Sequence, residues 1–236
     1  IDIDPRKFSD RYPTAVALCG DAAANLDALL ELLPQEPRAK LRRTGAQHMA
    51  GIEQGLAPLQ QTHLKIIRAV EAVLPASAIV ASDMTQLAYT ANYLMTTHGP
   101  RTWLHPTGFG TLGYGIPAGI GAQIAQPDVP VLVLVGDGGV LYTLTELATA
   151  QEDVRGSLVV LLWNNQALGQ IRDDMVALDI APIGVLPRAP DFVGLARAFG
   201  CHAVRPASLA EMQHAMRDGF ARPGVTVIEM TPGAVV

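Results

Sequence analysis

Val131-Leu132-Val133-Leu134-Val135-Gly136-Asp137-Gly138-Gly139 is the stretch that decides how this chain folds. An unbroken aliphatic run suits a strand buried on both faces of a parallel sheet, and it stops at a glycine-rich turn holding one carboxylate. A second apolar run, Ser157 to Trp163, ends in Asn164-Asn165-Gln166. If the two strands lie side by side, their ends bring a carboxylate and a carboxamide together. Mg²⁺ takes octahedral oxygen ligands and shares phosphate oxygens, so one Asp, one Asn, one backbone carbonyl and a diphosphate would complete a set. The glycines would let the backbone approach the phosphates, and a helix expected to start near Tyr142 would point its N-terminus at them.

Working outward, helix and strand patterns alternate from Leu59 to the end of the chain. Periodicity predicts helices over 60–74, 85–93, 117–125, 143–152, 191–199 and 209–220, and strands over 78–82, 131–135, 158–163, 202–204 and 225–230. Repeated βα units imply an α/β fold, a doubly wound parallel sheet with helices on both faces and ligands at the carboxyl ends of strands. Both halves of the candidate site sit at such ends. Competing glycine motifs fail on detail. No Gly-Lys pair exists for a nucleotide P-loop, and Gly110-Thr111-Leu112-Gly113-Tyr114-Gly115 has neither the spacing nor the preceding strand of a dinucleotide fingerprint.

The beginning of the chain reads differently. Residues 1–4 look like a short strand ended by Pro5, and Asp21 looks like the N-cap of a helix over 22–33 with Leu26, Leu29, Leu30 and Leu33 on one face. One strand and one helix cannot close a core, so residues 1–34 are expected to be the remnant of another α/β domain. Residues 35–58, with Pro37, Gly45, Gly51, Gly55, Pro58 and the basic cluster Lys40, Arg42 and Arg43, read as a solvated linker. The main domain is then 59–236. With no initiator Met and a strand at residue 1, the sequence is expected to be a fragment of a larger protein.

At 236 residues with 49% hydrophobic and 5% aromatic content, the chain can bury a core of small aliphatic side chains. A net charge of −5 without a basic stripe argues against nucleic acid as a partner. No apolar run approaches the roughly 20 residues of a membrane span. Cys19 and Cys201 make no disulfide framework, so a reducing cytoplasm is the expected compartment.

The pairing of GDG with a later NN, together with Gly108-Phe109-Gly110-Thr111-Leu112-Gly113-Tyr114-Gly115-Ile116-Pro117-Ala118 and Glu146-Leu147-Ala148-Thr149-Ala150, resembles the thiamine diphosphate (ThDP) enzymes. The resemblance runs over nearly the whole chain and is to the acetolactate synthase and 2-oxoacid decarboxylase branch. It implies metal ligation by Asp137, Asn165 and the backbone carbonyl of Ala167, with Gly136, Gly138 and Gly139 along the diphosphate. The interval to Asn165 is one residue longer than in close relatives, with the extra residue in the 153–157 turn. Asn164 and Asn165 are therefore both open as ligand, and the family's use of the second Asn favours Asn165. Gly139 stands where many relatives have a phosphate-binding Ser. Thr85 and Gln86 resemble another diphosphate-contacting turn. Asp83 there is as readily a helix cap.

The same resemblance implies that Leu112 wedges between the two rings of a bent cofactor, while the Gly110 carbonyl accepts from its amino group. Bending makes the cofactor its own acid–base pair. The carboxylate that activates it, a Glu, is implied to come from an N-terminal domain of a neighbouring subunit in a homodimer or homotetramer, and no catalytic residue is expected within this chain. Glu146 is a tempting substitute that reads instead as a helix turn at a subunit interface. The Trp that acetolactate synthases place near position 174 is absent, which disfavours carboligation. The motifs also resemble the 2-ketoarginine (5-guanidino-2-oxopentanoate) decarboxylases. Asp173 and Asp174 would suit a guanidinium tail, a desolvated pair worth on the order of 2–4 kcal/mol, against the plainer reading of solvated helix residues. The readings carried forward are a 2-oxoacid decarboxylase, an acetolactate synthase-like carboligase, and an inactive cofactor-binding fragment.

Overall fold

The computed structural model describes residues 1–9, 12–34 and 45–235. The chain divides into two units, Ile1–Ala50 and Gly51–Val236. In the first, no strand forms at residues 1–4: Asp2 makes one parallel bridge with Cys19, and a 3₁₀ turn spans Pro5–Lys7. The Asp4 carboxylate explains the turn, accepting from the Arg6 N–H at 3.0 Å and from its guanidinium. Helix α1 (Ala22–Leu32) starts as expected from Asp21, whose carboxylate accepts from the Ala24 N–H. Leu26, Leu29 and Leu30 in the helix and Leu33 at its C-cap are exposed.

Helix α2 (Gly45–Gln54) occupies part of the stretch read as a linker. Its two glycines, Gly45 and Gly51, disfavour a helix individually, yet Glu53 near its end meets Arg68 in an ion pair. Lys40, Arg42 and Arg43 lie outside the described residues.

The second unit carries α3 (Pro58–Glu71), β1 (Ile79–Ser82), α4 (Gln86–Leu94), β2 (Trp103–Leu104), α5 (Gly115–Ala125), β3 (Val131–Gly136), α6 (Asp137–Val140) and α7 (Glu146–Asp153). There follow β4 (Ser157–Trp163), α8 (Gly169–Ala177), α9 (Phe192–Ala198), β5 (His202–Val204), α10 (Leu209–Phe220) and β6 (Gly224–Met230). The six strands form one all-parallel sheet in the order β2-β1-β3-β4-β6-β5. Every residue of β3 and β4 is buried, which is why their sequence is continuous rather than alternating. On one face Val131, Val133, Val135, Leu158, Val160 and Leu162 pack with Ile116 and Ile120 of α5, Leu147 of α7 and Phe192 of α9. The other face meets α3, α4 and α10, where Ile66, Val70 and Leu87 gather around Leu134.

The strand order fixes where a ligand can sit. From β1 the chain steps outward to β2, then returns to place β3 on the other side of β1, so helices leave in opposite directions at the β1–β3 boundary. A crevice opens at such a switch point, outside the carboxyl ends of the strands. One expected helix start moves. The helix predicted near Tyr142 instead begins at Asp137 as the single turn α6, and α7 starts at Glu146. Glycines 138 and 139 fit one tight turn that a longer helix would not favour.

Candidate functional site

The β1–β3 crevice holds a cavity of about 290 Å³ lined by Thr85, Gln86, Gly110, Leu112, Gly136, Asp137, Gly138, Gly139, Asn165 and Ala167 among others. These are the residues singled out from sequence for cofactor and metal. Asp173 and Asp174 are not in the lining, though Gln170 and Ile171 from the same helix are.

Asp137 is 5% exposed and sits where β3 becomes α6. Its Oδ1 accepts from the Gly138 N–H at 2.9 Å and its Oδ2 from the Ala167 N–H at 3.2 Å. Burial pushes its pKa up, opposed by the N–H groups of Gly138, Ala167 and Gln166. Among the described residues it enters no ion pair. A buried carboxylate without a cation is what a metal ion would relieve. Among the described residues no group of three His, Cys, Asp or Glu could hold a metal. An ion at Asp137 would therefore draw its other ligands from carboxamide, backbone carbonyl and phosphate oxygens, the donor set that Mg²⁺ accepts.

The parallel register pairs Gly136 with Trp163, so Asp137 and Asn164-Asn165 leave the sheet side by side. The 153–157 turn lies at the opposite end of β4 from these asparagines, where Gly156 N–H donates to Gln123 and Gly156 C=O accepts from Gly224 N–H. The two asparagines then part. Asn164 is turned away, donating to Glu229 at 2.7 Å, while Asn165 borders the cavity and accepts from the Ala167 N–H at 3.1 Å.

Asn165 is itself oriented by a polar chain. Its Nδ2 donates to Gln86 Oε1 at 3.3 Å, Gln86 Nε2 donates to Asp173 Oδ2 at 2.9 Å, and Asp173 Oδ1 takes both Nε and Nη2 of Arg172 at 2.9 and 2.7 Å. Asp173 thus supports Gln86 from outside the cavity. Asp174 is exposed, accepts from Gln170 Nε2 at 2.9 Å, and is near enough to Tyr89 that its charge helps burial raise the phenol's pKa.

Backbone approach is close throughout. A Cβ on Gly138 would lie 2.4 Å from Leu168, and one on Gly139 2.8 Å from Asp83 Oδ2. Asp83 caps no helix; Thr85 is the N-cap residue of α4. The Asp83 carboxylate, 1% exposed, instead accepts from Gly113 N–H at 2.9 Å and Met84 N–H at 2.8 Å. That clamps the loop carrying Leu112 between Gly110 and Gly113, whose φ values of 74° and 83° suit glycine. Burial raises the Asp83 pKa against these bonds.

Met84 and Tyr89 line the cavity and were not anticipated. Tyr89 falls three residues after Gln86 on one helix face, a spacing that could have found it. Glu146 is not in the cavity lining and accepts from Thr149 Oγ1, and among the described residues Asp137 is the single carboxylate of the lining.

A model of the thiamine pyrophosphate enzyme C-terminal TPP binding domain matches residues 83–230. Over 232 residues the chain is 59% identical to a probable 2-ketoarginine decarboxylase of Pseudomonas aeruginosa, covering 98% of this chain and 42% of that protein. It is 29% identical to the acetolactate synthase isozyme 1 large subunit of Escherichia coli, again over 98% of this chain and 42% of that protein. Among solved structures, the thiamine diphosphate-dependent 4-hydroxybenzoylformate decarboxylase of Rhodococcus jostii RHA1 aligns with a TM-score of 0.70 at 26% identity, covering 93% of this chain and 41% of that chain. The chain thus spans about two fifths of the length of these relatives.

Proposed function

The chain belongs to the thiamine pyrophosphate enzymes, as their C-terminal TPP-binding domain, and from that premise we propose that it anchors ThDP through Mg²⁺ in a 2-oxoacid decarboxylase. The observation that carries this reading is the convergence of Asp137, Asn165 and Ala167 on a glycine-lined cavity at the switch point of the sheet. Bound there, ThDP would supply the electron sink that lets a 2-oxoacid lose CO₂. The chain's own residues bind and orient. Asp137 and Asn165 offer oxygens to the cation, with the Ala167 carbonyl as a third donor. Gly136, Gly138 and Gly139 would admit the diphosphate, Thr85 and Gln86 would flank it, and Leu112 would bear on the cofactor from a loop that Asp83 holds.

With Asp137 the single carboxylate of the lining, the activating Glu is assigned to another part of the whole protein. A neighbouring subunit in a homodimer or homotetramer is the proposed source. Phe109, Tyr142 and Ile171, 93%, 69% and 48% exposed, lie on or beside segments that border the cavity and suit a covering protein surface. The proposed substrate is 2-ketoarginine, supported by the 59% identity to a protein bearing that name. A carboligase reading has the weaker support of 29% identity to an acetolactate synthase subunit. The expected compartment is a reducing cytoplasm, consistent with Cys19 and Cys201 both being free; among the described residues no helix is long and apolar enough to cross a membrane.

Calorimetry of ThDP binding to the full-length protein tests the anchor. Binding should require a divalent cation and be lost in Asp137→Ala, because no second carboxylate lines the cavity. Wild-type affinity in that variant would remove the assignment.

A further inference from the structure

Glu229 is the lone charged residue of the largely apolar strand β6, and it is 1% exposed. Burying a carboxylate is costly unless its oxygens are bonded, and here both are. Oε2 accepts from Arg205 Nε at 2.9 Å and lies 2.8 Å from its Nη2, while Oε1 accepts from Asn164 Nδ2 at 2.7 Å. The topology makes this alignment possible. Asn164 follows β4, Glu229 lies near the end of β6 and Arg205 follows β5, and these strands are neighbours in the order β4-β6-β5.

The chemistry of the bond fixes what lies beyond it. An ionised carboxylate only accepts, so Asn164 must turn its NH₂ toward Glu229 and its Oδ1 the other way. That oxygen accepts from the Gln166 N–H at 3.1 Å. Gln166 has φ 56°, a left-handed conformation that L-residues disfavour and that therefore needs holding. The next N–H, that of Ala167, reaches Asp137 Oδ2 and Asn165 Oδ1 together. A continuous chain of hydrogen bonds and one strained turn thus runs from a half-exposed arginine to both candidate metal ligands.

We propose that Glu229, held by Arg205, is a positioning residue that sets the Gln166 turn from behind and so fixes Asn165 and Ala167 against Asp137. The proposal rests on reading Asp137 and Asn165 as the Mg²⁺-diphosphate site. Residues behind a metal's ligands typically govern affinity by roughly 10- to 100-fold. Glu229→Gln keeps the shape but places an NH₂ opposite either Arg205 or Asn164, both donors. One contact must break, and an Asn164 flip would release the Gln166 N–H.

The test uses the full-length protein and follows ThDP binding by calorimetry across a Mg²⁺ titration, with melting temperature measured separately without metal or ThDP. In Glu229→Gln the Mg²⁺ half-saturation should rise at least about 10-fold, with Glu229→Asp recovering part of the loss. Arg205→Met, altered at a half-exposed side chain, should shift it in the same direction by about 3-fold or more, and it decides the matter if Glu229→Gln does not fold. Lower melting temperatures with an unchanged Mg²⁺ requirement in the folded variants would make the pair merely structural and overturn the proposal. Asp137→Ala separates the two levels. If it binds ThDP like wild type, the site reading fails; if it abolishes binding while Glu229→Gln and Arg205→Met leave the Mg²⁺ requirement untouched, only the positioning role fails.

Discussion

Asp173 and Asp174 are consecutive, yet their neighbours give them different prospects. Asp173 already holds the Arg172 guanidinium through two N–H groups and steers Gln86, whereas Asp174 is exposed beside Gln170 of the cavity lining. For a substrate with a cationic tail, Asp174 is the carboxylate left to meet it. The desolvated magnitude expected from sequence shrinks accordingly, since an exposed pair is worth about 1 kcal/mol or less. Asp174→Asn should lower the ratio of kcat/KM for 2-ketoarginine over pyruvate by up to about 5-fold. Asp173→Asn should instead reduce kcat/KM for both oxoacids alike, because it loosens Gln86 rather than the tail contact. An unchanged ratio in Asp174→Asn would remove the acidic mouth and leave the cofactor site intact. At this scale the Gly-Asp-Gly turn and Asn165 were legible because two adjacent parallel strands force their ends together. The contacts of Asp83 and Glu229 were not, since each depends on which distant groups the fold brings to a lone carboxylate, the Gly113 N–H for Asp83 and the Arg205 and Asn164 side chains for Glu229.

At the level of elements, α3 meets α4 and β4 through a buried histidine. His63 is 1% exposed, its Nδ1 lies 2.9 Å from Thr90 Oγ1, and its ring stands edge-on to Trp163 at 5.7 Å. Its Nε2 and the Trp163 Nε1 have no partner among the described residues, so a proton added to the histidine would be neither hydrated nor paired there. Burial accordingly lowers its pKa from 6.5 to about 4. A depressed folded-state value means the unfolded chain takes the proton first. The stability that neutral His63 contributes is complete above pH about 6.5 and is lost as pH falls toward about 4. Between pH 7 and pH 4.5 the loss should be on the order of 2–3 kcal/mol. Urea melts at the two values should show His63→Phe losing less stability than wild type over that interval, and parallel losses would clear the histidine. The strands themselves were readable because continuous aliphatic runs have few other fates. Helix α2 was not, because glycines that signal a linker are tolerated here in a helix whose Glu53 meets Arg68. The start of α7 was misplaced because the chain needs a separate turn to carry Asp137 before the longer helix begins.

On the scale of the whole molecule, the sheet assembles one wall of a cofactor site. The cavity brings together oxygen donors and glycines but a single carboxylate, and Phe109 and Tyr142 beside it are largely exposed. Large apolar side chains left at the mouth of a binding cleft suit the proposed covering by another protein chain. A covering chain would exclude water, supply the missing acid and strengthen the polar contacts to the cofactor by lowering the local dielectric. Closure and cofactor retention should therefore fail together. Tyr142→Glu places a charge on an exposed position outside the cavity lining, so the fold should tolerate it. Light scattering should report a smaller mass than wild type at equal concentration, and ThDP affinity should fall by about 10-fold or more as an interface aromatic worth 1–2 kcal/mol is replaced by a desolvated charge. A variant of unchanged mass that retains wild-type ThDP affinity would show that this face is not where the second chain sits.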